Sequence, residues 1–325
     1  MDNLTHSLVG ALIGQTGLKK KTGLGMAALV IGANIPDIDG VCTFYGIESL
    51  AMRRGLTHGP IAWVLLPLAL AAILYGWDRW QAGRGKRPDA RLPVRFGWLY
   101  VLSLIGCLSH PVMDWMNSYG IRLFEPFSHR WFYGDVLFII DLWLWIGLGF
   151  ATWFSLRREK RGGEWRRPAL LTLAVLVAYM GGNKLLTFTA EQRARMTEPY
   201  PAVAIANPTP LTFWRREMIT GDGAGGWSID GVPIDTVPLA SCDLATARRA
   251  DPRVDAFLFW SRAPYVARGA DGHWVLGDAR FASQLGGGGR FSVALPPQTC
   301  VSALPKLALD LPATRPSRRH LAIPR

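Results

Sequence analysis

PIAWVLLPLALAAILYGW, residues 60–77, decides the fold: 18 residues run without a charge. A membrane-spanning helix needs about 20 mainly apolar residues, with a range of about 17–25. Working outward, FGWLYVLSLIGCL (96–108), VLFIIDLWLWIGLGFATWF (136–154) and PALLTLAVLVAYMGG (168–182) have the same character. Stretches 60–77 and 136–154 reach span length unaided; the other two take in flanking polar residues. Residues 4–17 and 24–36 are shorter apolar runs joined by LKKKTG, which suits a re-entrant or partly buried helical hairpin. MDNLTHSLVG lacks the basic start of a signal peptide, and none is expected. The expected fold is a mainly α membrane helical bundle, about four spans plus a short N-terminal hairpin, followed by a small, mainly β domain.

Half of the 325 residues are hydrophobic and 14 are Trp, yet the formal charge is +12. Apolar and basic residues are segregated, which excludes a uniformly basic nucleic-acid binder and makes the lipid bilayer the expected partner. Lys19–Lys21, loop 78–95 and loop 156–167 together carry fifteen basic residues, whereas the alternate loops carry only Arg53, Arg54, Arg122 and Arg130. Short basic loops stay in the cytoplasm. The other loops and everything after the last span are therefore expected outside, giving a multi-pass membrane protein with an extracytoplasmic C-terminal domain.

Three regions are expected: 1–186 in the membrane, 187–312 as the β-rich domain, and 313–325 as a disordered basic tail. Expected strands are 213–220, 254–260, 272–278, 279–284 and 290–295, with hairpin turns at Asp230-Gly231 and Asp271-Gly272. An outside location permits a Cys242–Cys300 disulfide, and two buried free thiols are the alternative. Cys107, inside a span, reads as packing.

Four of the six histidines fall in the membrane half. With their neighbours they form a set: His6 in LTHS, Asp37 and Asp39 in NIPDID, His58 in RRGLTHGP, and His110 with Asp114 in SHPVMD. Each sits at a helix end, and the inferred topology brings all of these ends to the outer side. His110 and Asp114 are four apart, hence on one helical face and able to share one ion. Pro36 disfavours helix at Ile35. An extended Asp-x-Asp would then point one carboxylate at a metal and the other at a histidine. Imidazole and carboxylate ligands suit zinc first, or manganese or iron, and the surplus of ligands leaves both one-metal and two-metal centres open. Taken singly, each histidine is better explained as an interfacial anchor and each aspartate as a cap. The one-sided convergence favours metal, because charged groups near a bilayer are costly unless paired or functional.

His6, Asp37, His58, His110 and Asp114 are the expected ligands. Asp39 is expected as the general base or as a residue that orients a ligand from behind, and Arg54 as the grip on an anionic substrate. Asn34, Arg53, Asn117 and His129 are further candidates around them. Asp135 is expected to cap the helix that starts there, and Asp141 to face the bundle interior from inside a span. His273 and His320 have no acidic partner at ligand spacing.

NLTHSLVGALIG, GANIPDIDG, RRGLTHG, SHPVMDWMNSYGIRLFEPF and GDVLFIIDLWLW resemble the bacterial inner-membrane metal-dependent hydrolase family over roughly residues 1–185. ANPTPLTFWRREMI and FLFWSRAPY…DARF resemble the extracytoplasmic tail that many members carry. The resemblance implies a membrane-embedded hydrolase whose metal is held by His6, Asp37, Asp39, His58, His110 and Asp114. More distant similarity to zinc-dependent phospholipase C and nuclease folds suggests phosphoester chemistry, although no glutamate stands in a helical His-x-x-x-Glu arrangement here. The expected activity is hydrolysis of an ester or phosphoester at the outer membrane face, on a lipid-like or lipid-linked substrate. The rivals are a metal transporter or sensor, and a scaffold stapled by a structural metal.

Overall fold

The computed structural model describes residues 1–269, 271–284 and 291–300; the tail with His320 lies outside them. Helix α1 (Asn3–Gln15) is capped by Asp2, whose carboxylate accepts from the backbone of Leu4 and Thr5. A turn at Leu18–Lys21 leads into α2 (Gly25–Gly32). A 3₁₀ segment over Ile35–Glu48 then runs into the single turn α3 (Ser49–Met52). Helices α4 (Pro60–Gly83), α5 (Phe96–Trp115), α6 (Leu142–Lys160) and α7 (Arg166–Arg195) complete the N-terminal part.

Among the described residues, four helical stretches are long and apolar enough to cross a membrane: Gly25–Met52, Pro60–Gly83, Phe96–Trp115 and Arg166–Arg195. Three contain the expected spans 60–77, 96–108 and 168–182. Gly25–Met52 contains the second arm of the expected hairpin, and α7 runs past residue 186 to Arg195. The expected span at 136–154 is not among the four. Val136 and Leu137 donate their amides to the Met116 carbonyl at the end of α5, which holds 136–141 out of a helix. Helix α6 starts only at Leu142, and its basic last turn contains Arg157, Arg158 and Lys160.

Small residues set the packing of the bundle. A β-carbon at Gly106 of α5 would lie 2.5 Å from the Leu29 carbonyl oxygen of α2, and one at Gly32 would lie 2.7 Å from the Ser103 carbonyl oxygen. Gly10 of α1 meets the same Leu29 carbonyl at 2.8 Å. Backbones this close are how membrane helices associate when burial from lipid supplies no net drive. Leu29, Leu70, Leu74, Leu99 and Leu102 fill the space beside this seam.

The C-terminal part has two antiparallel sheets. The first is a meander of β1 (Val203–Pro208), β2 (Arg216–Gly221), β3 (Trp227–Ile229) and β4 (Val232–Pro233), with Asp230-Gly231 at its last turn. Helices α8 (Leu244–Ala250) and α9 (Pro252–Trp260) follow. The second sheet is β5 (Pro264–Arg268), β6 (Trp274–Asp278) and β7 (Ser292–Ala294), with Asp271-Gly272 at its first turn. Cys242 and Cys300 form a disulfide.

Two expected strands are helical. Stretch 254–260 is α9, because Asp251 caps it, Pro252 sits in its first turn, and the buried Val254, Phe257 and Trp260 recur every three residues. Stretch 279–284 is a 3₁₀ turn that follows β6. The two parts share a core: Leu50 of α3 packs with Phe257, Trp260 and Leu276. Gly106→Val should cost about 1–3 kcal/mol by overpacking this seam. Thermal unfolding in detergent measures it, and an unchanged transition would mean that α2 and α5 are not in such close contact.

Candidate metal centre

The glycine seam brings one end of α1, α2 and α5 together and so gathers His6, the segment after α2, and His110. His58 arrives on a short 3₁₀ turn, Leu56–His58, just before α4. One ligand atom each from Asp37, His58, His110 and Asp114 lies within 4.8 Å of every other. Asp37 and Asp39 lie in a 3₁₀ helix and not in the extended run expected from sequence. At three residues per turn they still differ by roughly 240° in direction. Asp37 accordingly joins the cluster, while Asp39 turns toward Arg54 and Thr57.

The hydrogen bonds fix which nitrogen of each imidazole is free. His110 Nδ1 lies 2.7 Å from the Ala33 carbonyl oxygen, which can only accept, so Nδ1 carries the proton and Nε2 presents a lone pair. The Thr57 hydroxyl donates to Asp39 Oδ2 at 3.0 Å, so its oxygen accepts from His58 Nδ1 at 2.9 Å. His58 Nε2 is therefore also a lone pair. These two Nε2 atoms face each other at 3.1 Å, with Asp114 Oδ2 3.5 Å from one and 3.6 Å from the other. Three electron-rich atoms in this arrangement call for a cation among them. Burial, with His110 and Arg54 alongside, pushes the His58 imidazole well below its ordinary value, so a proton there is disfavoured. Ligands about 2.0–2.1 Å from a tetrahedral ion stand about 3.3 Å apart, which fits this spacing.

His6 stacks on His110 with ring centroids 3.8 Å apart, and its Nε2 lies 3.3 Å from Asp114 Oδ1. Among the described residues neither of its ring nitrogens has a hydrogen-bond partner. The α-amino nitrogen of Met1 also packs against Asp114 Oδ1. His6 Nε2 and Asp114 Oδ1 are the donors that a second cation beside Asp114 would use.

Arg54 is the buried counter-charge. Its Nε lies 2.9 Å from Asp114 Oδ2, its Nη1 donates to Asn117 Oδ1 at 2.9 Å, and its guanidinium sits 4.6 Å from the Tyr119 ring centre. Burial pushes Arg54 down to about 10, so it stays cationic at neutral pH. The C-terminal part holds this region from behind. Arg280 Nη1 donates to the Ser118 carbonyl at 2.6 Å, and Trp260 Nε1 donates to the Tyr119 carbonyl at 3.2 Å. Arg280 is buried and paired with Asp278. Burial alone would push the Asp278 carboxyl up, but the Arg280 guanidinium and the Ser261 hydroxyl hold it at about 2.

The remaining candidates lie around or away from the cluster. Arg53 is a quarter exposed, with Nη2 3.5 Å from Asp37 and Nε 3.6 Å from Asp39. Asn34 Nδ2 ties α1 to α2 by donating to Ser7 Oγ and the Val30 carbonyl. His129 is largely exposed and pairs with Glu125. Asp135 caps no helix: it adopts a left-handed turn and pairs with Arg262. Asp141 is not inside a span but is the N-cap of α6, accepting from Leu144 N and the Tyr179 hydroxyl. Thr57, Tyr119 and Arg280 had no part in the sequence reading. Only Thr57 left a signal there, as the residue before His58 in the repeated Leu-Thr-His of LTHS and RRGLTHG.

Residues 1–187 match the profile of the YdjM inner membrane protein family. The chain belongs to that family. It is thus a multi-pass inner membrane protein. It is similar to the uncharacterized protein YfhP of Bacillus subtilis (strain 168), with 25% identity over 280 residues, 80% of each chain. No solved structure matches it.

Arg54→Met should destabilise the protein by about 3–5 kcal/mol, because the buried Arg54–Asp114 pair is broken by removing one partner. Arg53→Met should cost about 1 kcal/mol or less, as expected for a partly exposed pair. Thermal unfolding of the two variants side by side tests this ranking; equal shifts would contradict the role given to Arg54.

Proposed function

We propose that the chain is an inner-membrane metal-dependent hydrolase acting on an ester or phosphoester at the outer face of the membrane. The observation that carries this reading is the pair of imidazole lone pairs facing each other across Asp114. Asp37, His58, His110 and Asp114 hold the ion, zinc first by ligand type, with manganese or iron as alternatives. His6 offers a further ligand if a second ion binds. The ion would supply Lewis acidity and bring the pKa of a bound water near neutrality.

The surrounding residues have separate tasks. Asp39, through Thr57, fixes the tautomer and orientation of His58. Ala33 does the same for His110. Arg54 balances the charge on Asp114. Asp37 lines an adjacent cleft of about 310 Å³ that also touches Arg53, Arg54 and Tyr119. Access through this cleft favours a hydrolase over a closed structural staple. Clustering of the ligands at one end of the helices speaks against transport, where sites sit near the midplane. The distribution of basic loops supports the outer side for the site and the C-terminal part.

The test uses intact spheroplasts and purified protein with p-nitrophenyl butyrate, p-nitrophenyl phosphate and bis(p-nitrophenyl) phosphate. One of these should be hydrolysed by intact spheroplasts, stopped by chelation and restored by zinc. His58→Ala should abolish turnover, and Thr57→Val should reduce metal affinity or rate by about 10–100-fold. Unchanged rates in both variants would remove the cluster from catalysis, and turnover only after lysis would put it on the cytoplasmic side.

A further inference from the structure

The cleft beside the cluster has a polar and an apolar lining: Asp2, Asp37, Arg53 and Arg54 on the one hand, Leu50, Ile139, Ile140 and Phe291 on the other. Arg53 is the partly exposed cation of this lining, ion-paired with Asp37 at 3.5 Å and Asp39 at 3.6 Å. Its guanidinium donates no hydrogen bond among the described residues, and its Nε is buried without a hydrogen-bond partner. Arg54, by contrast, is spent on Asp114 and Asn117.

The apolar lining does not end at the cleft. Ile139 and Ile140 are 38% and 47% exposed and stand immediately before Asp141, the cap of α6. Below them Trp143, Ile146, Phe150 and Trp153 are all exposed. Their spacing of three and four puts them in one stripe down the helix. Ile139 and Ile140 thus line the same cleft as Arg53 and also lead along the chain into the exposed apolar stripe of α6.

We infer that the substrate is a membrane amphiphile: a phosphate-bearing headgroup seated on Arg53 beside the cluster, with its acyl chains along Ile139, Ile140 and the α6 stripe. This rests on the hydrolase reading and names its substrate class. The cleft volume supports it. About 310 Å³ is at the small end of ligand pockets, enough for a headgroup and its glycerol but not for two acyl chains. The chains must therefore lie outside, against the bilayer-facing surface. A guanidinium that makes ion pairs at 3.5 and 3.6 Å but donates no hydrogen bond among the described residues keeps N–H groups for bidentate binding of phosphate.

Isothermal titration of the purified full chain in detergent micelles tests this with four probes: dioleoyl phosphatidic acid, dioleoylglycerol, glycerol 3-phosphate and inorganic phosphate. Phosphatidic acid should bind about tenfold or more tighter than each of the others, the scale of one charge-assisted contact or of a few buried methylenes. Arg53→Gln should remove about tenfold for phosphatidic acid while leaving dioleoylglycerol unchanged. Ile140→Ser should weaken phosphatidic acid by about threefold or more while leaving glycerol 3-phosphate unchanged. Glycerol 3-phosphate or phosphate binding as tightly as the lipid would assign the site to soluble phosphates. Dioleoylglycerol binding as tightly would remove Arg53 from recognition, and no binding of phosphatidic acid by the wild type would overturn the inference outright. Binding without turnover would sink only the hydrolase reading. Turnover of soluble esters without lipid preference would sink only this one.

Discussion

The close approach of α2 and α5 at Gly32 and Gly106 is the constraint on which the site depends. Because neither glycine has a β-carbon, the backbone of Ala33 comes near enough for its carbonyl to accept from His110 Nδ1 at 2.7 Å. That bond decides the tautomer of His110 and aims its Nε2 lone pair at His58. Thr57 and Asp39 impose the same tautomer on His58 from the other side. A packing contact between helices is thereby converted into a pair of facing donors for a cation.

The charge balance is set by Arg54 and maintained from a distance. Buried carboxylates at Asp39 and Asp114 are costly unless countered, and Arg54 touches both, the first through its backbone amide and the second through its guanidinium. Its position depends on Asn117 and Tyr119, which lie in a loop gripped by Arg280 and Trp260 of the C-terminal part. The C-terminal part is therefore more than an appendage: its buried Asp278–Arg280 pair and aromatic core hold the loop that holds Arg54.

Much of this was legible in the sequence. Length and apolarity marked the helices at 60–83, 96–115 and 166–195, and the His/Asp motifs brought together Asp37, His58, His110 and Asp114 at helix ends. Local pattern failed where tertiary bonds override it. Residues 136–141 are as apolar as a span, but the Met116 carbonyl captures two of their amides, so Asp141 becomes a cap. FLFW has strand composition, yet Asp251 and Pro252 start a helix before it. Tyr119 and Arg280 gave no signal at all, because the contacts that tie them to the site, with Arg54 and Ser118, are more than 60 and 160 residues away in sequence.

The most direct test of the centre is the metal content of detergent-purified protein after incubation with zinc, manganese and iron salts, combined with X-ray absorption at the edge of the metal retained. About one ion per chain, or about two if His6 serves a second position, with about two imidazole nitrogens around the site shared by His58 and His110, is the predicted result. Metal-free protein, or an ion with no imidazole in its shell, would contradict it.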